Sequence, residues 1–327
     1  MPFFFSVLLV NGYTKLMKDT PHISIIIPAH NEEAIIASSL ATVINILVPI
    51  TEHFDIIVVD DGSQDETAIH VQHVAASDSR VHYVSLSRCF GKEAALAAGL
   101  EVATGQAVIL MDADMQHPPS LIPDMIKHWQ DGYDIVDAIK AKRGKEGASY
   151  RLFAKLFYML LGDATGKDMS RSSDFKLLDR QVVDVINSFP ERNRFFRGLV
   201  AWVGYRSIEL YFNVEERLGG GKSKWSTWNL IKYSANNIIA FSSRPLILIA
   251  WIGLFTVISG IALGLHTLYN YFIGIAADGF TTIILLIIII GGAILCSLGV
   301  IAVYLSKVYD EQKSRPLFII RKNNTEQ

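Results

Sequence analysis

The chain has 327 residues, 50% hydrophobic and 19% charged, with a mean hydropathy of +0.30, which is too apolar for an ordinary soluble enzyme and excludes a disordered chain. Two cysteines, Cys89 and Cys296, exclude a disulfide scaffold and a cysteine-built zinc site. The net charge of −2 is unevenly spread: residues 1–139 hold 6 Lys+Arg against 18 Asp+Glu, and residues 140–244 hold 19 against 10, a pattern that fits either a cation on one side and an anion on the other or unevenly charged solvated faces.

The opening MPFFFSVLLV is too short to span a bilayer and has no positive charge ahead of it, so it lacks a signal peptide's layout. Met17 is a second candidate start, and residues 1–20 read as an N-terminal extension. From Ile23 onward short apolar runs alternate with helix-length segments. Strands are expected at 23–28, 54–60, 81–87, 107–112 and 133–138, with helices at about 32–47, 65–77, 91–104 and 119–131. The strands are continuously apolar and β-branched, as in a parallel sheet covered on both faces. The fold class is therefore α/β, doubly wound.

Ligands of such sheets bind beyond the C-terminal strand ends. Polar residues gather at three of those ends: Pro28, Asn31 and Glu32; Asp60, Asp61 and Asp65; Asp112, Asp114 and Gln116. Neither GxGxxG nor GxxxxGK[ST] occurs, so no glycine-rich turn cradles phosphates. Asp112 and Asp114 could instead hold Mg2+ or Mn2+ through hard carboxylate oxygens. Alternatively they cap a helix starting near Pro118 and Pro119, as Asp65 could cap its own helix. Lys92 follows a glycine at a helix start, where it could meet a phosphate or simply be solvated.

Near the C-terminus, residues 246–272 and 281–306 contain no Asp, Glu, Lys or Arg, and each exceeds the roughly 20 apolar residues that cross a bilayer. The short connector carries only Asp278, whereas Lys232, Arg244, Lys307, Lys313, Arg315, Arg321 and Lys322 flank the pair on the outside. The positive-inside rule then predicts a hairpin with both flanks, and all of residues 1–244, in the cytoplasm. Gly260 and Gly264 are candidates for a close helix contact. Residues 225–244, opening with Trp225 and Trp228, read as an interfacial amphipathic helix.

The motifs PAHNEE (28–33), VVDDGSQDET (58–67), FGKEAALAAG (90–99), MDADMQHPP (111–119), SSDFKLLDR (172–180), RNRFFRG (192–198) and RLGGGKSKW (217–225) occur in order. Together they resemble the family 2 glycosyltransferases, in particular the polyprenyl-phosphate branch with a C-terminal membrane hairpin. The resemblance implies a GT-A type domain over 21–224, the interfacial helix at 225–244, and the hairpin with its tail at 245–327. It implies inverting transfer of a hexose, UDP-glucose being the favoured donor, to polyprenyl phosphate on the cytoplasmic membrane face. Its implied partners are the nucleotide sugar, the lipid phosphate, the membrane and further copies of the chain, with no nucleic acid.

The resemblance also implies roles for single residues. Pro28, Asn31 and Glu32 border the nucleoside, and Asp60 and Asp61 meet base or ribose. Asp112 and Asp114 hold the metal, Mg2+ or Mn2+, on the diphosphate, with Gln116 nearby and Lys92 on a phosphate. Arg217, Lys222, Ser223 and Lys224 close over the diphosphate on a loop loosened by Gly219, Gly220 and Gly221. Lys140, Lys142, Arg143 and Arg151 are candidates for the acceptor phosphate, or form a basic face near anionic lipid. Asp174 lies by the acceptor as the family's proposed base, although a phosphomonoester with a second pKa of about 6 needs little deprotonation. A processive polysaccharide synthase would carry a QxxRW motif, which is absent. A catalytically dead sugar-nucleotide binder would not be expected to keep Asp60, Asp61, Asp112, Asp114 and Asp174 together.

Overall fold

The computed structural model describes residues 21–140, 172–192, 194–212, 244–274 and 280–321. Among these a seven-stranded sheet runs in the order β3-β2-β1-β4-β6-β5-β7. Its strands are β1 (Ile23–Ala29), β2 (Phe54–Asp60), β3 (Val81–Ser85), β4 (Ala107–Leu110), β5 (Ile135–Lys140), β6 (Ser172–Asp179) and β7 (Ser207–Phe212). All neighbours pair in parallel except β6, which is antiparallel to both β4 and β5. The strand order turns back at β1, which lies between β2 and β4. The crevice beyond the C-terminal ends of β1 and β4 is thus the topological switch point.

Alternation along the strands splits the core in two. Ile25 and Ile27 face helices α1 (Ile36–Leu47), α2 (Thr67–Ser77) and α4 (Ile122–Gln130) through Leu40, Val43, Val71, Met125 and Trp129. Ile26, one residue out of phase, faces α3 (Lys92–Val102), α5 (Arg180–Ser188) and α6 (Phe196–Trp202) through Leu96, Leu100, Val183 and Phe196. Period-two burial on both faces is what a helix-covered parallel sheet requires. At Gly99 of α3 a Cβ would lie 2.3 Å from the Ile26 side chain, so the missing side chain is what lets this helix seat closely on β1.

The five strands expected from apolar runs are all present, with ends shifted by up to two residues. Sequence patterning did not reveal β6, β7, α5 or α6. The reason in β6 is that SSDFKLLD places charge on a strand, yet Asp174, Lys176 and Asp179 are all buried. Lys176 is satisfied by Asp137 at 2.5 Å, directly opposite on β5, and Asp179 accepts the Trp129 indole N–H at 2.7 Å.

Helices α7 (Arg244–Phe272) and α8 (Phe280–Gln312) contain apolar stretches Ile249–Asn270 and Leu286–Gln312, long enough to cross a membrane and unburied by the protein. Among the described residues Gly260 and Gly264 make no tight contact: none lies within 4 Å of a Cβ built on either. They line an open gap with Leu286 and Ile290. Beyond α8 the chain returns to the sheet domain. Leu86, just past β3, forms an antiparallel bridge with Ile320, flanked by Ser87 N–H to Ile319 O at 2.8 Å and Arg321 N–H to Ser85 O at 2.7 Å. Phe318 packs on the α3-side core, and Glu311 accepts the Arg192 N–H. The predicted interfacial helix lies outside the described residues but for Arg244.

Candidate active site

At the β1 and β2 ends, two loops are tied to each other by acidic and amide side chains. Asn31, at φ +56°, accepts the Gln64 N–H at 2.8 Å, and its own N–H donates to Ser63 Oγ at 3.0 Å. Asparagine tolerates this left-handed backbone better than most residues. Asp60 accepts the Ser63 N–H at 2.9 Å and the Tyr83 hydroxyl at 2.7 Å. Burial, together with that bond to Asp60, pushes the Tyr83 phenol up to about 12. Asp61 accepts the N–H groups of Phe90 at 2.6 Å and Gly91 at 2.8 Å, fixing the start of α3. Asp65 accepts the Thr67 N–H, the first amide of α2, at 3.0 Å, but the N-cap position itself is held by Glu66, which supplies no side-chain bond.

The β4 end carries Asp112 and Asp114 on a loop pinned from α1, where Ser39 Oγ donates to Ala113 O at 2.8 Å. Met115 turns the chain at φ +57°. Asp114 accepts the Gln116 N–H at 3.1 Å. The short helical turn from Pro119 has no side-chain cap, so the helix-capping alternative for these aspartates is not realised. Instead Asp112, Asp114 and His117 offer ligand atoms within 4.8 Å of one another. Two carboxylates and an imidazole suit a divalent cation such as Mn2+ or Mg2+, and the donor set therefore fits the expected metal. His117 is buried between the rings of Phe175 and Phe212.

Asp174 rises from β6 into the same crevice. Its Oδ1 accepts Arg197 Nε at 2.5 Å, and its Oδ2 accepts Arg197 Nη2 at 2.8 Å and Lys92 Nζ at 2.6 Å. Lys92 also reaches Asp112 Oδ1 at 2.5 Å. One ammonium thus links a carboxylate of the candidate metal-binding group to the carboxylate of β6. Burial alone would raise the Asp174 carboxyl, but Arg197 and Lys92 outweigh it and hold it well below the usual carboxylate range. Burial likewise opposes the charge on Lys92, and Asp112 and Asp174 overcome it, raising the ammonium.

The glycosyl transferase family 2 pattern matches residues 24–186. An uncharacterized glycosyltransferase, sll0501, of Synechocystis is 40% identical over 92% of this chain and 95% of its own length. The chain belongs to glycosyl transferase family 2. The SfII prophage-derived bactoprenol glucosyl transferase of Shigella flexneri is 35% identical to this transferase over 92% of this chain and 98% of its own. Among solved structures, glucosyl-3-phosphoglycerate synthase from Mycobacterium tuberculosis with Mn2+ and UDP-glucose aligns over 67% of the transferase and 77% of that chain, at 21% identity and a TM-score of 0.45.

In this family 2 enzyme Asn31, Glu32, Asp60, Asp61, Lys92, Asp112, Asp114 and Gln116 lie at or just beyond the C-terminal ends of parallel strands, Asp174 lies near the N-terminal end of the antiparallel β6, and Pro28 sits within β1 opposite Val59. Lys92 meets two carboxylates, Asp112 and Asp174. Lys140 ends β5. Lys142, Arg143, Arg151, Arg217, Lys222, Ser223 and Lys224 lie outside the described residues. Sequence reasoning assigned no role to Arg197 or His117. Both sit inside quoted motifs, RNRFFRG and MDADMQHPP, and the signal that could have flagged them is a cationic or imidazole side chain within a motif already rich in acids.

Proposed function

We propose that this transferase moves a hexose, glucose from UDP-glucose being the favoured donor, onto polyprenyl phosphate at the cytoplasmic membrane face with inversion. The observation that carries this reading is the likeness to a bactoprenol glucosyl transferase over 92% of the chain, which takes in both apolar helices as well as the catalytic domain. Asp60, Asp61, Asn31 and Glu32 frame the nucleoside, with Pro28 beneath them. Asp112 and Asp114, joined by His117, would hold a divalent cation, which would supply charge neutralisation for the departing nucleoside diphosphate. Arg217, Lys222, Ser223 and Lys224 close on that diphosphate, and Lys140, Lys142, Arg143 and Arg151 receive the lipid phosphate.

Asp174 serves here as an orienting group. A general base works best with a pKa near the operating pH, whereas this carboxylate is held far below it and spends both oxygens on two cations. The acceptor is already largely dianionic at neutral pH. The cytoplasmic placement of the tail is supported by its return to the β3 edge. Lys307, Lys313, Arg315 and Arg321 then share its side, as expected for the cytoplasm. The test is to incubate membranes containing the protein with a panel of labelled nucleotide sugars and polyprenyl phosphate. Label moving from UDP-glucose into the organic-soluble lipid supports the reading, and hydrolysis without lipid product overturns it.

A further inference from the structure

Glu93, the neighbour of Lys92 in the first turn of α3, has no role assigned so far. Its carboxylate accepts the Phe196 N–H at 2.8 Å. Phe196 is the first residue of α6, a helix whose N-cap, Phe195, supplies no side-chain bond. The first-turn N–H groups of a helix need such an outside acceptor. Arg197, the next residue, is the one whose guanidinium grips both oxygens of Asp174. Two adjacent residues of α3 therefore converge on one carboxylate, Lys92 by direct contact and Glu93 through the helix that carries Arg197.

We propose that Glu93 is a positioning residue: by anchoring the start of α6 it fixes where Arg197 meets Asp174, and thereby the acceptor side of the site. The proposal rests on the reading of Asp174 as the acceptor-side carboxylate. Glu93 faces Lys92 on its own helix, Asp174 on β6 and Arg197 on α6. Farther along β6, Lys176 is neutralised by Asp137 of β5, and Asp112 of the β4 loop is engaged by Lys92. Burial first, then the Asp174 charge, push the Glu93 carboxyl up to about 7, against the Phe196 N–H, Lys92 and Arg197. Ionisation near neutral pH strengthens Glu93 as an acceptor for the helix start.

The test uses the full chain in detergent or membranes, with UDP-glucose and polyprenyl phosphate, and compares Glu93→Gln, Glu93→Ala, Arg197→Ala and the Glu93→Ala/Arg197→Ala pair. Because a shift of about 1 Å in a positioned group can cost about 10²-fold, Glu93→Ala is expected to lower acceptor kcat/KM by about 10–100-fold with donor KM unchanged. The double variant should lose little more than Arg197→Ala alone, since Glu93 acts through that residue. Glu93→Gln keeps an oxygen for the Phe196 N–H but cannot ionise, so the wild-type advantage over it should grow as pH rises through 7. Additive losses in the double variant, or a Glu93→Ala enzyme that is less stable yet unchanged in acceptor kcat/KM, would overturn the proposal. An Arg197→Ala enzyme that loses donor rather than acceptor kinetics would instead overturn the acceptor-side reading beneath it.

Discussion

Asp174→Asn separates proton abstraction from positioning. The wild-type carboxylate receives three bonds from two cations, at 2.5, 2.6 and 2.8 Å, while only 8% exposed. Asparagine keeps the shape but turns an NH2 group toward one of those cations and removes the countercharge of Arg197. Taking one partner from a buried ion pair costs about 3–5 kcal/mol. If about 3–4 kcal/mol of that is felt in the transition state, the rate falls about 10²–10³-fold. The sign of the pH dependence follows from the depressed carboxyl: Asp174 is ionised from pH 6 to 9, and its stabilising charge is lost only as pH falls below the usual carboxylate range. The acceptor's proton, with a pKa of about 6, titrates alike in both enzymes. Initial rates of lipid glycosylation at saturating donor, taken from pH 6 to 9 on folded protein, should therefore show a large deficit of constant size. A deficit that shrinks tenfold or more toward pH 9 would refute the positioning argument and restore Asp174 as a base.

Asp114→Asn should leave a folded protein with little transfer activity, and a chelator should silence the wild type; full activity in excess chelator would remove the metal from the scheme. His117→Ala should raise the Mn2+ concentration for half-maximal activity by about tenfold or more, measured by metal titration of the apo enzyme, and an unchanged titration would strike His117 from the ligand set. Gly62→Ala forces a Cβ to within 2.7 Å of Cys89 N and 2.8 Å of Arg88 C at φ +69°. It should destabilise the domain by about 1–3 kcal/mol, read as a lowered thermal midpoint. Arg321→Pro deletes the N–H that bonds Ser85 O and should speed amide exchange at Ser87, whereas unchanged protection there would show that the tail does not hold the β3 edge in solution. With a cysteine placed at 278 or at 322, an impermeant thiol reagent applied to intact cells should label only the former.

The sequence by itself determined the features whose cause is local. Runs such as ISIIIP and FDIIVVD are continuously apolar because each strand is covered on both faces, and so they announce β1 and β2 without any knowledge of neighbours. Carboxylates placed at the ends of those runs could be read as a site for the same reason: a buried strand stops being apolar where it reaches the crevice. The helices of the hairpin declare themselves by the length of their charge-free spans, 246–272 and 281–306. Tertiary structure alone decided what depends on partners far along the chain. Strand β6 looks solvated until Asp137, Trp129, Lys92 and Arg197 arrive, 23 to 82 residues away, to neutralise or bond its charges. Lys92 can be read as a solvated lysine until β4 and β6 bring Asp112 and Asp174 to its ammonium, and the pairing of the tail with the edge of β3 appears only in the fold. In β6 charge could be buried only by compensation across the fold, and no window of sequence contains both sides of that compensation.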